Sequence, residues 1–268
     1  MGWHFKRWYD LINKLHKKQL LEKYFSKGDI KKIVNKLRVF LKLEMNNHVN
    51  DKFVNSNPKE TWMDSIDRAG VNIEMQALQL SMYKLIFGIT RNPLYKEMEN
   101  ELKSKVKEEF WNGKYLKDNL SEPTIRPNVF IAAYVYPDLL TVKEWESCFE
   151  NVLPKLWLKW GGLATIDKSS PDFNESYSGE NPKSYHNGDS WFWINNLAAV
   201  VLLRVNKKKF KKYIDKIVKA STTDILWSGM IGHHSELSSA KELRSEGCLC
   251  QAWSSALYIE LMDELNSN

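Results

Sequence analysis

Thr141-Val-Lys-Glu-Trp-Glu-Ser-Cys-Phe-Glu-Asn-Val152 carries a helix start and a helix face in twelve residues. Thr141 and Glu144 make the Ser/Thr-x-x-Glu pattern in which each side chain satisfies the other's backbone N–H, and Trp145, Cys148, Phe149 and Val152 then fall on one side at three-to-four spacing. Outward from this segment the same period recurs. Trp8, Leu11, Ile12 and Leu15, then Ile30, Ile33, Val34, Leu37 and Phe40, predict two helices in the first 45 residues, with Ser26-Lys-Gly-Asp29 as the turn between them. Further helices are expected over 73–87, 93–111, 130–136, 191–205, 209–220 and 247–265. Neither period-two strand successions nor strand-helix alternation intervenes, so the fold class is all-α, with small β pieces expected in the loops. The polar stretch 46–60 ends in Asn57-Pro58 and delivers Thr61-Trp-Met-Asp64 to the next element. The stretch 161–190, rich in Gly, Ser, Pro, Asp and Asn, is too long for a simple connection and reads as a structured functional loop.

The composition excludes several classes. With 43% hydrophobic and 27% charged residues, 12 Gly and 8 Pro, the 268-residue chain is neither low-complexity nor collagen-like, and it is long enough to bury a substantial core. No apolar run approaches the roughly 18 residues of a membrane span. Met1-Gly-Trp-His-Phe-Lys-Arg7 also lacks the apolar centre of a secretory signal, so no membrane partner is expected and the cytoplasm is the expected compartment. The net charge of +6 is spread along the chain. Its densest run, Lys207-Lys-Lys-Phe-Lys-Lys212, reads as the solvated face of a helix start, and no nucleic-acid partner is expected. Cys148, Cys248 and Cys250 read as reduced thiols, because three cannot all pair and Cys248-Leu-Cys250 is too tight for an easy bridge. His233-His234 has no companion ligands at metal-binding spacing, and Gly161-Gly162 and the glycines at 229 and 232 match no phosphate loop, so no metal or cofactor is implied. The outlier is the aromatic content, 11 Trp, 11 Tyr and 11 Phe, since flat rings stack well against sugar faces.

Four loop-borne clusters combine rings or a rigid Pro with hydrogen-bonding groups: Glu60-Thr-Trp-Met-Asp64, Ile125-Arg-Pro-Asn128, Tyr185-His-Asn-Gly-Asp-Ser-Trp-Phe-Trp193, and Ser235-Glu236 followed by Gly247-Cys-Leu-Cys-Gln-Ala-Trp-Ser254. A neutral sugar needs that mixture, since its axial hydrogens pack on rings while its hydroxyls demand directed donors and acceptors. Breaking a glycosidic bond then requires two carboxyl groups, one protonating the leaving oxygen and one activating water or attacking the sugar. Asp64 and Glu236 could be that pair if the fold brings them together, with Trp62 and Trp253 as apolar walls able to raise one pKa. On the residues alone, the competing reading is Asp64 as a helix N-cap and Glu236 as a surface acid.

Taken together and in order, these segments resemble the glucosidase module of glycogen debranching enzyme, the amylo-α-1,6-glucosidase family. That family's pattern runs Thr-Trp-Met-Asp, Val-Glu-Ile-Asn/Gln-Ala-Leu, Arg-Pro-Asn-Gln, Tyr-His-Gln-Gly-Thr-Val-Trp-Pro-Trp, Ser-Glu-Ile and Gly-Cys-Ile-Ala-Gln-Ala-Trp-Ser. Here the counterparts are Thr61–Asp64, Asn72-Ile-Glu-Met-Gln-Ala-Leu78, Arg126-Pro-Asn128, Tyr185–Trp193, Ser235-Glu-Leu237 and Gly247–Ser254. The loop from Gly162-Leu-Ala-Thr-Ile-Asp167 through Ser170-Pro-Asp172 to Tyr177 is similar to another family segment.

The resemblance implies an (α/α)6 toroid of the six-hairpin glycosidase type, with a sugar pocket in the loops at one end of the inner helices. It also implies inverting hydrolysis of α-1,6-linked glucose at branch stubs of glycogen or a limit dextrin, Asp64 matching the general acid and Glu236 the general base. Trp62, Glu74, Gln76, Arg126, Asn128, Tyr185, His186, Trp191, Trp193, Gln251 and Trp253 fall on positions that line or support the pocket. Departures are Phe192 for Pro, Asn187 for Gln, Asp189-Ser190 for Thr-Val, and Cys250 for Ala. The resemblance covers about residues 54–264, the family's earlier helices and their Gly-Arg-Asp-type motif finding no counterpart. The expectation is therefore one domain over 1–268, a helical hairpin (1–48) and a motif-bearing region (49–268), forming the later part of a barrel that lacks its first helices. A second chain is expected to supply them. Alternatives are a non-catalytic glucan-binding or assembly subunit, and another (α/α)6 glycosidase of the glucoamylase or trehalase type.

Overall fold

In the computed structural model, residues 2–179 and 181–267 are described. The chain opens with α1 (Gly2–Lys17), a single turn α2 (Leu21–Tyr24) and the long α3 (Lys27–His48). Ser26 caps α3 reciprocally with Asp29, its hydroxyl accepting from the Asp29 N–H at 3.1 Å and the Asp29 carboxylate accepting from the Ser26 N–H at 3.1 Å. Ser26-Lys-Gly-Asp29 is thus the start of the second long helix, and the chain turns before it.

A hairpin of β1 (Val49–Asn50) and β2 (Phe53–Val54) then leads through an irregular loop to α4 (Ile73–Thr90). Arg91 adopts a left-handed conformation (φ 56°) and Asn92 caps the next helix, so α5 (Pro93–Phe110) doubles back. After α6 (Asn128–Val135) comes α7 (Val142–Leu156), where the capping box read from the sequence is formed: Glu144 N–H to Thr141 Oγ1 at 3.3 Å and Thr141 N–H to Glu144 Oε2 at 2.8 Å. Strand β3 (Ser190–Trp191) precedes α8 (Phe192–Trp227). Strand β4 (Leu237–Ser238) pairs antiparallel with β3 and precedes α9 (Ala252–Ser267).

Two expected helices meet in α8. Its backbone breaks at Asn206 (φ −162°, ψ 89°), whose Oδ1 accepts from the Lys209 N–H at 3.0 Å and so caps the second segment. Lys207, Lys208, Lys209, Lys211 and Lys212 are exposed there, while Phe210 is buried. The last helix starts five residues later than its periodicity indicates. Gly247 is left-handed (φ 67°), and the segment after it is bonded sideways to the Glu236 strand, Glu236 N–H to Cys248 O at 2.8 Å, rather than along a helix axis.

Helices that are apolar on every face must be covered on every face. Every residue of α6 is buried, as are twelve of α4. α4 packs on α6, α6 on α8 and α8 on α9, giving an inner layer, and α5 and α7 lie outside it with their charged faces to water. Stacked Phe130 and Phe149 (centroids 4.8 Å apart) join α6 to α7, a contact adding about 0.5–1.5 kcal/mol beyond burial. α1 lies against this inner layer. A Cβ on Gly2 would come within 2.6 Å of Leu78 Cβ, Trp3 meets Trp193 edge-on at 6.2 Å, and Arg7 donates to Tyr134 Oη at 2.6 Å while pairing with Glu260 at 3.5 Å.

Candidate active site

All four motif clusters lie in loops that run into the N-terminal ends of inner-layer helices: Thr61–Asp64 before α4, Arg126–Asn128 at α6, Tyr185–Trp193 at α8, and Ser235–Gln251 before α9. Cross-links between the loops gather them at one end. Trp62 Nε1 donates to Asn128 Oδ1 at 2.7 Å, and its indole meets the rings of His186, Trp191 and Trp193 edge-on at 5.3, 5.6 and 4.8 Å. Ser65 Oγ lies 2.7 Å from His186 Nδ1. The β3–β4 ladder ties the Tyr185–Trp193 loop to the strand after Glu236.

Glu236 is gripped on both oxygens. Tyr185 Oη donates to Oε1 at 2.9 Å, Gln251 Nε2 reaches the same oxygen at 3.4 Å, and the Cys248 N–H donates to Oε2 at 3.0 Å. Its backbone carbonyl accepts from the Phe192 N–H, just after β3, at 3.1 Å. Asp64, by contrast, is exposed and makes no hydrogen bond to a described residue. Both acids act on one group: the Tyr185 phenol is pushed above its ordinary pKa by burial, by its bond to Glu236, and by the charges of Glu236 and Asp64. The arrangement is a braced carboxylate, a second carboxylate in its field, and a box of indoles beside them.

The remaining predicted residues divide by burial. Glu74 is paired with Arg68, whose other nitrogen donates to Asp118 Oδ2 at 2.7 Å. Gln76 clamps Val54, accepting from its N–H at 2.9 Å and donating to its carbonyl at 2.8 Å. Arg126 donates to the carbonyls of Thr165 (3.1 Å) and His186 (2.6 Å) and to Asn187 Oδ1 (3.0 Å). Asn128 links Trp62 to Asp118, donating to Asp118 Oδ1 at 2.8 Å. These four hold loops in place rather than offering free donors. His186 stacks flat on Trp191 at 5.1 Å, and burial, helped by the Arg126 and Arg68 charges, lowers its pKa to about 3, so the ring is neutral. Trp191 donates to the Tyr185 carbonyl at 2.8 Å. His186 Nε2 and Trp193 Nε1 are buried without a partner among the described residues, and Trp253 is half exposed.

Sequence reading missed the network behind Glu236. Asp224, at the far end of α8, accepts from His234 Nδ1 at 2.6 Å and from the Ser235 N–H at 2.8 Å. His234 Nε2 faces Asn196 Nδ2 at 3.1 Å, which fixes the Nδ1–H tautomer. Burial raises the Asp224 pKa, but the bonds from His234, Ser245 and Ser235 overcome it and leave it lowered. Arg68, Asp118 and Ser65 were also unmarked. His234 next to Ser235-Glu236 was the one available signal.

Asp189 gives a pH-dependent prediction. Its Oδ2 accepts from Ser184 Oγ at 2.6 Å, its Oδ1 has no partner among the described residues, and burial, with the Glu246 charge adding to it, raises the pKa to about 6. An unfolded Asp ionises near pH 4, so between about pH 4 and 6 the folded state holds the extra proton and stability falls as pH rises. Two pKa units correspond to about 3 kcal/mol. Asp189→Asn keeps the acceptor for Ser184 and is expected to melt at least about 5 °C higher than wild type at pH 8, but level with it at pH 4. Equal melting temperatures at pH 8 would contradict the assignment.

Comparison with known proteins gives a consistent picture. A family profile described as amylo-alpha-1,6-glucosidase matches residues 3–260, a span that begins well ahead of the expected residue 54 and takes in α1 and α3. No curated protein matches. Among solved structures, a neutral trehalase from Saccharomyces cerevisiae is similar at 17% identity and TM-score 0.54, over 74% of this chain and 38% of that one. A GH63 mannosylglycerate hydrolase from Thermus thermophilus aligns at 12% identity and TM-score 0.50, over 71% and 44%, and a protein described as a wild-type glycosidase at 12% and 0.57, over 79% and 56%. The likeness places the all-α fold with the six-hairpin glycosidases. The chain spans about half the length of these structures or less. Among the described residues, no helix is long and apolar enough to cross a membrane.

Proposed function

The chain belongs to the amylo-alpha-1,6-glucosidase family, and from that premise we propose that it is a glycoside hydrolase acting on α-1,6-linked glucose at the branch stubs of glycogen or a related α-glucan, with inversion at the anomeric carbon. Asp64 is the general acid that protonates the leaving oxygen. Glu236 is the general base that takes a proton from water as the water attacks the opposite face of the sugar. Tyr185 orients Glu236, and Trp62, Trp191, Trp193, Gln251 and Trp253 form the surround of the glucosyl ring. The observation that carries this reading is the grip of Tyr185, Gln251 and Cys248 on the Glu236 carboxylate beside the indoles, with Asp64 exposed in the same loop cluster.

A second chain that completes the barrel belongs to the same proposal. Val39, Phe40 and Leu43 lie exposed on α3, which supports a missing neighbour on that side. The three unpaired thiols are in keeping with a cytoplasmic setting. Proton NMR of the first product released from a debranching limit dextrin tests the stereochemistry. Inversion predicts that β-glucose appears first and mutarotates to the α anomer. Initial α-glucose would refute the assignment of Glu236 as a base acting through water.

A further inference from the structure

We infer that Cys250, with His233 as its base, is a thiol-exchange site at which a small disulfide such as oxidised glutathione attaches and loosens the loop that grips Glu236. The consequence for catalysis rests on the hydrolase reading above; the attachment and the loosening do not.

Cys250 Sγ lies 3.1 Å from His233 Nδ1, and both residues are exposed. His233 is held in place by its backbone, its N–H donating to the Met230 carbonyl at 2.9 Å. A thiol beside an imidazole is the arrangement in which proton removal yields the attacking thiolate. Cys248 is also exposed, but its Sγ faces the Cys250 carbonyl at 3.4 Å and, among the described residues, has no base beside it. Cys148 is fully buried, and burial pushes its thiol up to about 12, so it is inert.

The position gives the adduct its effect. Residues 248 and 251 flank Cys250 and hold Glu236, through the Cys248 N–H to Oε2 at 3.0 Å and Gln251 Nε2 to Oε1 at 3.4 Å, while the Gln251 N–H anchors to the His234 carbonyl at 2.8 Å. A tripeptide attached between these two grips cannot leave the His233 contact intact. The step itself is balanced. His233 takes the Sγ proton, the thiolate attacks one sulfur of the disulfide, the Cys250–sulfur bond forms as the glutathione S–S bond breaks, and the departing thiolate takes the proton from the imidazolium.

The full chain is incubated with oxidised glutathione and its peptides mapped by mass spectrometry over time. Cys250 is expected to be labelled about tenfold faster than Cys248, with Cys148 unlabelled and His233→Ala removing the advantage. Amide exchange at Cys248 should then rise about tenfold in the adduct while α6 stays protected. Glucose release from limit dextrin should fall on labelling, recover on reduction, and be insensitive to the disulfide in Cys250→Ala. Equal labelling of Cys248 and Cys250 that ignores His233→Ala would overturn the site, and an adduct with unchanged exchange at Cys248 would overturn the switch. If untreated protein, with any chain that co-purifies in equal amount, releases no glucose, the functional reading fails by itself, and labelling and exchange still decide this inference.

Discussion

Replacing Arg68 with Met is expected to destabilise the protein by about 3–5 kcal/mol, a large part of the 5–15 kcal/mol that usually separates folded from unfolded domains. Arg68 lies between two buried carboxylates: its side chain is 4% exposed, against 2% for Glu74 and 4% for Asp118. Burial alone would lower its pKa, yet Asp118 and Glu74 raise it, while the Glu74 carboxyl is pushed up by burial against the pull of Arg68. Removing the guanidinium leaves two desolvated acids side by side. The disturbance also reaches the site, because Asp118 holds Asn128 and Asn128 holds Trp62. Denaturant unfolding measures the loss. The companion variant Arg68→Met/Glu74→Gln, which removes one uncompensated charge, is expected to recover part of it. A single-variant loss below about 1 kcal/mol would show that the triad is not the support described.

Gly247→Ala is expected to leave the protein folded and to lower glucose release about a hundredfold, since a displacement of the order of 1 Å at a reacting group has that effect. The position is constrained twice. Its φ of +67° costs an L residue about 1–2 kcal/mol, and an added Cβ would lie 2.3 Å from Glu236 Oε2. The carboxylate has no free direction to yield, because Tyr185 and Cys248 hold its two oxygens. Gly179, at φ +64° with no contact from the other described residues within 4 Å of the added carbon, separates the two causes. Gly179→Ala carries the backbone strain without the collision and should keep its activity. If both variants lose activity alike, strain rather than contact with Glu236 is responsible.

Local chemistry was legible in the sequence, and long-range pairing was not. The α7 capping box is complete within four residues, so Thr141 and Glu144 announce it. Ser26-Lys-Gly-Asp29 carries the same chemistry, but Gly28 made it look like a turn, and only the reciprocal bonds distinguish the two. The Gly247–Gln251 segment has helical apolar spacing. What withdraws it from α9 is its bonding to Glu236, which lies eleven or more residues earlier and leaves no periodic mark. The site residues announced themselves as rings and carboxylates in loops. Their supports did not, because Arg68, Asp118 and Asp224 are ordinary charged residues in sequence and become buried partners only once α4, α6 and α8 are packed. The break at Asn206 was visible as two helices, since the lysine run interrupts the apolar period there.

The most direct test of the account is glucose release from a debranching limit dextrin by the chain, with any chain that co-purifies in equal amount, beside Asp64→Asn and Glu236→Gln. Both residues are at or near the surface of the loop cluster, so both variants should fold. The account predicts release by the wild type and a loss of about 10²–10⁴-fold in each variant, the range that a general acid or base contributes. Release that survives either substitution would contradict it.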